Sequence, residues 1–346
     1  MRRNWIVSLF ACLVLVLGLA AAAAEAQDRK IVMRIGCIAT PPQPQSMAAE
    51  EFKRLVEARV GDRLDVQVYH SLQLGTIAQH LQGLQNGSIH GIFFPNGFYG
   101  PVVPEVMILD LGFFFPDSEW VYQMFNKGYT KPLDDAMQLR GLVFVSTPPA
   151  MDRRIFVSKE LKSLNDFSGV RIRTYSSPIN QRAISLMGFT PANIDSAEMP
   201  VAIQQGTVDG VECDITFWYA MKLFKANNMI DFYHETAVHM MNLSKRWFDP
   251  LPEDIKQAII EAGRATPALV HDYIQSTLIS RIENDPAARL NVLKFSEADI
   301  KAIKERSMPV HDMYKNEGPT FQATYDYYKD LLERYPNPAD APNLLK

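Results

Sequence analysis

The sequence predicts an α/β protein built as two lobes. Apolar, strand-like segments alternate with amphipathic, helix-like segments over the first half of the chain, which is typical of a sheet with parallel strands. A second series of strands and helices begins near residue 151. A typical domain holds about 100–200 residues, and about 320 of the 346 residues remain after the N-terminal segment described below, enough for two lobes.

The first series contains four predicted strands and two well-marked helices. The strands are predicted at 31–36, 64–70, 89–95 and 141–147. A helix over 47–58 places Ala48, Phe52 and Leu55 on one face, and Thr76 is positioned to cap a second helix that ends before Gly87. The segment GLVFVST at 141–147 is almost uniformly apolar, which predicts a parallel strand covered on both faces.

The second series starts with predicted strands at 155–158 and 169–174, followed by helices over 178–187 and 199–205. After Asp214 the pattern becomes mostly helical. Pro252 suits the first position of a long helix that Pro267 is expected to kink or end. Ser296 and Asp299 resemble a capping box, and the Pro-rich tail from Tyr335 predicts coil.

The N-terminus resembles a secretory signal peptide. A basic head at Arg2 and Arg3 precedes an apolar run, and Ala24-Glu25-Ala26 has the small residues of a cleavage site. We therefore predict a signal peptide over 1–26 and export to the periplasm, with an uncleaved anchor as the alternative. The net charge of −4 gives no electrostatic footprint for nucleic acid, so no nucleic-acid partner is predicted.

No catalytic motif is evident in the sequence. It contains no G-x-S-x-G, no phosphate-binding loop, no G-x-G-x-x-G and no pair of helical histidine ligands. Asp209, Glu212 and Asp214 could hold a hard cation, but they lack a full ligand pattern, and turn or capping roles fit them better. We predict neither catalytic residue, metal nor cofactor. Cys37 and Cys213 are interpreted as distant free thiols, with a disulfide as the alternative.

Two arginines in one short strand are the most informative local feature. In FSGVRIRTYSSP, Arg171 and Arg173 share one face of the strand, and Ile172 lies on the other. That face meets either water or an anion. A guanidinium is always charged and presents a fork of donors that matches a carboxylate.

Four segments in register resemble the solute-binding subunits of TRAP transporters, the tripartite ATP-independent periplasmic systems for carboxylates. The segments are GTIAQHLQGLQNGSIHGIFFPNGFYG, VPEVMILDLGFFFPDSEW, LNDFSGVRIRTYSSP and MPVAIQQGTVDGVECD. The resemblance covers roughly residues 31–335. It implies a two-lobed periplasmic binding protein fold, with a ligand cleft between the lobes and a long bridging helix.

Mapped onto this chain, the resemblance implies interleaved lobes. Lobe I would comprise 27–150 and 239–278, lobe II would comprise 151–238 and 279–330, and 331–346 would form a C-terminal tail. The main carboxylate-binding arginine falls on Arg173. A second arginine falls on Arg153, with Arg154 beside it.

The resemblance and aromatic residues in short, turn-rich segments such as FFPNGFYG at 93–100 also suggest the rest of the pocket. Cys213 stands after Glu212 where many members carry an asparagine, and a thiol is a weak donor, which places that contact in doubt. The further candidates are Thr40, Phe94, Asn96, Tyr175 and Trp218. A monocarboxylate or keto acid with an apolar tail is the favoured ligand.

The predicted function is the extracytoplasmic capture of an organic acid and its delivery to a TRAP-type membrane permease. The mature chain is expected not to insert into the membrane. The alternatives are a periplasmic enzyme acting on a small carboxylate, for which the sequence shows no nucleophile–base pair, and a sensory binding protein.

Overall fold

A computed structural model describes residues 30–345, and the predicted signal peptide at 1–26 lies outside the described residues. Eleven strands form the framework of this part of the chain. They are β1 (Ile31–Cys37), β2 (Leu64–Tyr69), β3 (Gly91–Pro95), β4 (Leu142–Ser146), β5 (Arg154–Val157), β6 (Arg171–Thr174), β7 (Thr190–Asn193), β8 (Gly210–Cys213), β9 (Asn228–Ile230), β10 (His239–Ser244) and β11 (Asn291–Leu293).

The α-helices fill the connections between these strands and form most of the C-terminal third. They are α1 (Pro44–Val60), α2 (Ile77–Asn86), α3 (Ser118–Asn126), α4 (Lys131–Leu139), α5 (Pro178–Met187), α6 (Met199–Gln205), α7 (Ile215–Ala220), α8 (Lys245–Phe248), α9 (Glu253–Tyr273), α10 (Ile279–Asn284), α11 (Glu297–Ser307), α12 (Pro309–Lys315) and α13 (Pro319–Arg334).

The strands form two separate sheets, one in each lobe. The first has the order β2-β1-β3-β10-β4, and the second has the order β11-β9-β5-β8-β6-β7. This arrangement confirms the predicted α/β fold with two lobes. The exact residue boundaries of the lobes, including the tail at 331–346, stay a prediction.

Local sequence signals explain several element ends. Thr76 and Gln79 form a reciprocal capping box at the start of α2, and Gly87 ends that helix in the left-handed conformation at φ 83°. Ser296 and Asp299 form a capping box at α11, as predicted. The helices over 178–187 and 199–205 also have the predicted bounds.

The prediction that 141–147 forms a parallel strand was wrong. Strand β4 lies at the edge of the first sheet and pairs antiparallel with β10. The reason is topological, because β10 returns from the second lobe and inserts between β3 and β4 in the opposite direction. The prediction of a mostly helical region after Asp214 also missed β9, β10 and β11, of which two are only three residues long.

A long helical segment connects the two lobes. Helix α9 continues through a π-helical turn at Ile274–Leu278 into α10. Its N-terminal part packs on α1 and its C-terminal part contacts α7, so it bridges the lobes as the resemblance implied. The helix begins at Glu253, one residue after Pro252, and it does not end at Pro267.

The last residues pack against the first lobe. Lys127 Nζ donates hydrogen bonds to the carbonyl oxygens of Pro338 and Ala341, and Leu344 N donates to the Lys127 carbonyl. Among residues 30–345, no helix is both long enough and apolar enough to cross a lipid bilayer.

Candidate ligand-binding site

The candidate site is a cleft between the two lobes that consists of three neighbouring cavities. A central cavity of about 30 Å³ is lined by Pro95, Gly97, Phe98, Arg153, Arg173, Tyr175, Ser196, Cys213, Asp214, Phe217, Ala237 and His239. On one side it shares Ser196 and Phe217 with a cavity of about 490 Å³, here called the proline-side cavity because Pro41 and Pro42 line it.

On the other side lies a cavity of about 550 Å³, here called the α2-side cavity. It shares Gly97, Phe98, Arg173 and Tyr175 with the central cavity. Its walls are largely apolar. The apolar lining residues are Ile77, Ala78, Leu81, Phe98, Pro101, Val102 and Ile194.

Arg173 is a buried cation without a carboxylate partner. It is 3 % exposed and lines both the central and the α2-side cavity. Its Nε donates to the Ile194 carbonyl oxygen at 2.8 Å, and one terminal nitrogen donates to Ser196 Oγ at 3.0 Å. A guanidinium has five N–H donors, so three remain. No carboxylate within residues 30–345 forms an ion pair with it.

The electrostatic surroundings of Arg173 favour an incoming anion. Burial and the neighbouring Arg153 lower the pKa of Arg173 to about 10, so the guanidinium still carries its charge near pH 7. An anion that replaced the lost solvation would restore the pKa towards its ordinary value. The free guanidinium is therefore a site for a carboxylate supplied from outside the chain.

Arg153 lines the same cavity, but carboxylates of the protein neutralise its charge. Its guanidinium forms a bidentate ion pair with Glu212, and its Nε lies 3.3 Å from Glu235 Oε1. Its Cζ also lies 4.7 Å from the centre of the Tyr175 ring. Arg153 is predicted as a second contact for the ligand carboxylate, which would have to compete with these internal partners.

The carboxyl groups around Arg153 have divergent pKa values. Burial acts to raise the pKa of Glu212, but Arg153 and His234 outweigh it and hold that pKa at about 2. Burial and the negative charge of Glu212 raise the pKa of Glu235 well above its ordinary value. Burial also raises the pKa of Asp110 to about 6. Glu212 is thus the anion that neutralises Arg153.

Hydrogen bonds connect this network to both lobes. Tyr175 Oη donates to Glu235 Oε1 at 2.5 Å, and Asn180 Nδ2 donates to Glu235 Oε2 at 2.6 Å. Asp110, on the loop before α3, accepts from Asn96 Nδ2 at 2.9 Å and from Ser177 Oγ at 2.6 Å. The network therefore holds the segments behind the cleft in fixed positions.

The structure brings only part of the predicted residue set to the cleft. Arg173, Arg153, Tyr175 and Cys213 line the central cavity, and Thr40 lines the proline-side cavity. Burial and the nearby Asp214 raise the pKa of the Cys213 thiol, which leaves it a weak, neutral donor. Glu212 lies behind the cavity, where it pairs with Arg153.

Besides Glu212, four predicted contacts line none of the three cavities. Trp218 stacks on Phe156 and donates to the Ala226 carbonyl oxygen, so it belongs to the core of the second lobe. Phe94 is buried in the core of the first lobe. Arg154 points to Asp231 at 3.9 Å, because neighbouring strand residues face opposite sides.

Asn96 is the fourth of these residues, and its amide is used inside the protein. Its Nδ2 donates to Asp110 and its Oδ1 accepts from Val238 N at 3.2 Å. Arg171, which shares the nominal strand face of Arg173, is exposed and lies 3.3 Å from Asp209. Arg171 is therefore in contact with solvent and with a carboxylate of the protein. Cys37 and Cys213 are both free thiols, as predicted.

Three buried groups could in principle surround a metal ion. Ligand atoms of Glu212, His234 and Glu235 all lie within 4.8 Å of one another. Arg153 already contacts both glutamates and supplies the positive charge there. The cluster is therefore better described as an ion-pair network than as a metal site. Of the predicted acidic cluster, Asp214 instead caps α7.

Several lining residues were missed by the sequence analysis. They are Pro95, Gly97, Phe98, Ser196, Asp214, Phe217, Ala237 and His239. Ser196 and Asp214 follow strands of the second sheet closely in sequence, a position that could have suggested them. His239 opens β10, a strand that the sequence analysis did not predict, so no signal pointed to it.

Comparisons of the sequence with a family model and with known proteins agree on one family. The sequence model of the bacterial extracellular solute-binding proteins, family 7 (DctP), matches residues 35–317. A protein of Verminephrobacter eiseniae named solute-binding protein is 28% identical over 236 residues, which cover 67% of this chain and 70% of that protein. The C4-dicarboxylate-binding periplasmic protein DctP of Rhodobacter capsulatus is 24% identical, covering 82% of this chain and 86% of that protein.

Solved structures share the fold. A TRAP periplasmic solute-binding protein from Desulfovibrio salexigens with bound orotic acid has a TM-score of 0.82 at 23% identity, covering 88% of this chain and 99% of that chain. One from a Sulfitobacter species with bound β-D-galacturonate has a TM-score of 0.80 at 21% identity, covering 86% and 99%.

Proposed function

The chain belongs to family 7 of the bacterial extracellular solute-binding proteins, and from this premise we propose that it captures a small organic carboxylate between its two lobes. The single observation that carries this proposal is Arg173. Its guanidinium is buried at the cleft, retains three free donors and has no carboxylate partner among the residues that the structure describes. A ligand carboxylate would supply the missing charge.

The energetics favour a carboxylate bound between closed lobes. Excluding water lowers the effective dielectric constant and strengthens the attraction between the ligand and Arg173. The desolvation of Arg173 has already been incurred during folding, so only the ligand must lose its water on binding. Ser196 Oγ accepts from Arg173, which leaves its own hydroxyl hydrogen available to the same carboxylate.

The flanking cavities define the remainder of the ligand. The α2-side cavity begins at Arg173 and is walled by apolar side chains such as Leu81, Val102 and Ile194. We therefore propose that the acid carries an apolar tail that extends from Arg173 into this cavity. Burial of such a tail contributes about 25 cal/mol for each Å² of apolar surface removed from water.

The names of related proteins support a carboxylate ligand. The Rhodobacter relative is named for C4-dicarboxylates, and the two solved structures hold orotic acid and galacturonate. These ligands are all carboxylic acids but differ in size and polarity. They support a carboxylic acid as the ligand class. The shape and polarity of this chain's own cavities determine which acid it binds.

We further propose export to the periplasm through a signal peptide at 1–26 and delivery of the acid to a TRAP-type membrane permease. The ligand would be released unchanged, without a reaction. The mass of the exported protein should correspond to cleavage after Ala26. Loss of uptake of the acid on deletion of the gene would separate transport from a sensory role.

A thermal-shift screen of organic acids tests the proposed capture, because a ligand that binds only the folded state raises the melting temperature. The affinity of the acid that raises it most is then measured by calorimetry for the wild type, Arg173→Met and the matched surface variant Arg171→Met. We expect Arg173→Met to lose about 2–5 kcal/mol of binding free energy. Arg171→Met should bind as the wild type does. Equal affinities of all three proteins would contradict the proposal.

A further inference from the structure

We propose that His239 selects the ligand by accepting a hydrogen bond from a hydroxyl on the carbon next to the carboxylate. The ligand would then be a 2-hydroxycarboxylate rather than the corresponding 2-oxo acid. This inference rests on the proposed carboxylate capture at Arg173 and adds the chemical class of the acid. Neither the sequence patterns nor the related proteins assign a role to His239.

Backbone contacts fix the position of the His239 ring. His239 is the first residue of β10 and lies opposite Pro95 of β3 in the register of the first sheet. Its backbone N donates to the Pro148 carbonyl oxygen at 3.3 Å. Its ring Nδ1 lies 3.1 Å from the Pro149 carbonyl oxygen. Two consecutive carbonyl groups therefore hold the residue at the edge of the central cavity.

The contact with Pro149 determines the tautomer of the ring. A carbonyl oxygen only accepts hydrogen bonds, so Nδ1 must carry the hydrogen in this contact. In a neutral imidazole the other nitrogen, Nε2, then has a lone pair and accepts. No hydrogen-bond partner for Nε2 occurs among the described residues, and His239 lines the central cavity.

The surroundings keep this imidazole neutral. His239 is 4% exposed, and burial lowers its pKa below the ordinary value for histidine. The charged groups that act on it have opposite effects, since Asp214 raises the pKa and Arg153 lowers it. A neutral ring presents Nε2 as an acceptor and cannot act as a second cation for the carboxylate.

The small size of the central cavity places His239 and Arg173 on adjacent parts of one ligand. Both residues line the same space of about 30 Å³. A carboxylate that meets Arg173 therefore brings the substituent on its neighbouring carbon towards His239. A 2-hydroxyl donates to Nε2, whereas a 2-oxo group offers only a second acceptor and leaves Nε2 unpaired. An unpaired buried polar group costs about 1–3 kcal/mol.

A 2-amino acid is the competing ligand, because an ammonium group has three N–H donors and needs as many acceptors. Besides His239, Asp214 lines the central cavity. Its Oδ1 accepts from the backbone N of Thr216 and of Phe217 at the start of α7, and no hydrogen-bond partner for its Oδ2 occurs among the described residues. An ammonium group would therefore need Asp214 Oδ2 as well as His239 Nε2, whereas Nε2 alone satisfies the single donor of a hydroxyl group.

The test compares ligands that differ only at the second carbon. The probes are lactate, pyruvate and alanine, together with the 2-hydroxy, 2-oxo and 2-amino acids of the leucine skeleton, measured by calorimetry near pH 7. We expect the 2-hydroxy acid to bind about tenfold or more tightly than the 2-oxo acid of the same skeleton, the factor that corresponds to about 1.4 kcal/mol. Equal binding, or tighter binding of the 2-oxo or 2-amino acid, would overturn the inference.

A matched variant assigns the preference to Nε2. In His239→Asn the side-chain Nδ2 can still donate to the Pro149 carbonyl oxygen. The remaining acceptor, Oδ1, lies on a shorter side chain and no longer reaches the position of Nε2. The variant should bind the 2-oxo acid as the wild type does and lose its preference for the 2-hydroxy acid. An unchanged preference in a folded variant would overturn the inference.

The failure of this inference is distinguishable from that of the proposed function. Binding of acids that depends on Arg173 but shows no preference for a 2-hydroxyl would overturn the role of His239 and leave carboxylate capture intact. Binding that does not depend on Arg173 would overturn both. A protonated His239 that contacts the carboxylate directly would make the affinity for 2-hydroxy and 2-oxo acids fall together as the pH rises, which also contradicts the inference.

Discussion

Arg153 and Arg173 line the same cavity, yet their surroundings differ. Arg153 is paired with Glu212, lies 3.3 Å from Glu235 and covers the ring of Tyr175. Arg173 is equally buried, but its partners are only a carbonyl oxygen and the hydroxyl of Ser196. One guanidinium is neutralised within the protein, and the other is not.

This difference separates a structural cation from a binding cation. A buried ion pair is costly to break because the remaining charge is left without a partner. A buried cation that the protein leaves unpaired is instead prepared for a partner from outside. We therefore predict opposite phenotypes for substitutions of the two arginines. Replacing Arg153 should lower the stability of the protein, and replacing Arg173 should lower its affinity for the ligand.

The largest expected effect is on stability in Arg153→Met. Removal of the guanidinium leaves Glu212 fully buried without its partner, so we expect the free energy of unfolding to fall by about 3–5 kcal/mol. Denaturant unfolding of the ligand-free protein measures this loss. Arg173→Met is the matched control, and it should destabilise the protein less, because it removes two hydrogen bonds but relieves a buried charge and leaves no carboxylate without its partner. Equal losses in the two variants would remove the distinction.

A smaller effect should be visible in the pH dependence of stability. The pKa of Asp110 is raised to about 6 in the folded protein, so between about pH 4 and pH 6 the folded state binds a proton that the unfolded state has released. The contribution of Asp110 to the free energy of unfolding should therefore fall as the pH rises through this window and level off above it. Buried His90, whose pKa is lowered to about 4, acts in the opposite direction. The raised pKa of Glu235 acts in the same direction as that of Asp110, whereas Glu212, with a pKa of about 2, acts mainly below the window.

Asp110→Asn isolates this contribution, because the amide cannot titrate and can still bond to Asn96 and Ser177. From about pH 4 to pH 6 the wild type should lose stability relative to the variant, by an amount on the order of 2–3 kcal/mol. Unfolding curves of both proteins across this range measure the difference. Identical slopes would mean that Asp110 titrates in the folded protein as it does in the unfolded chain.

The smallest effect is expected for Glu235→Gln. The raised pKa of Glu235 favours the neutral form of its side chain over a wider pH range than usual, and glutamine resembles that form in shape and charge. Asn180 Oδ1 has no partner among the described residues, so a rotation of that amide would accept from the new Gln side chain. We expect a loss of less than about 1 kcal/mol, the net worth of one hydrogen bond. A loss as large as that of Arg153→Met would show that Glu235 shares the negative charge with Glu212.

Local elements of the fold could be predicted from the sequence, but strand pairing could not. The Thr76 capping box, Gly87 and the helix over 178–187 are specified by residues close in sequence. The position of β10 depends on a return of the chain from the second lobe, which no local pattern contains. The strands β9 and β11 have three residues each, which is too short to show the alternation of apolar and polar side chains that predicts a strand.

The candidate site was predictable mainly through the resemblance to the TRAP family. Charges in an apolar strand drew attention to Arg171 and Arg173 together, because burying a cation is costly, and the resemblance selected Arg173. Trp218 and Phe94 are residue types that are common in ligand pockets. The sequence does not distinguish aromatic side chains in a pocket from those in a hydrophobic core. Asp110 and Glu235 resemble ordinary loop residues until the fold brings them together behind the cleft.

The most direct test of carboxylate capture at Arg173 is a double-mutant cycle between the ligand charge and the guanidinium of Arg173, with the exposed Arg171 as the control. The affinities of the bound acid and its uncharged amide are measured by calorimetry for the wild type, Arg173→Met and Arg171→Met. We predict a coupling energy of at least about 1.5 kcal/mol between the carboxylate and Arg173, within the range for close charge pairs, and a value near zero for Arg171. A coupling energy near zero for Arg173 would contradict the assignment of the unpaired guanidinium as the ligand's counter-charge.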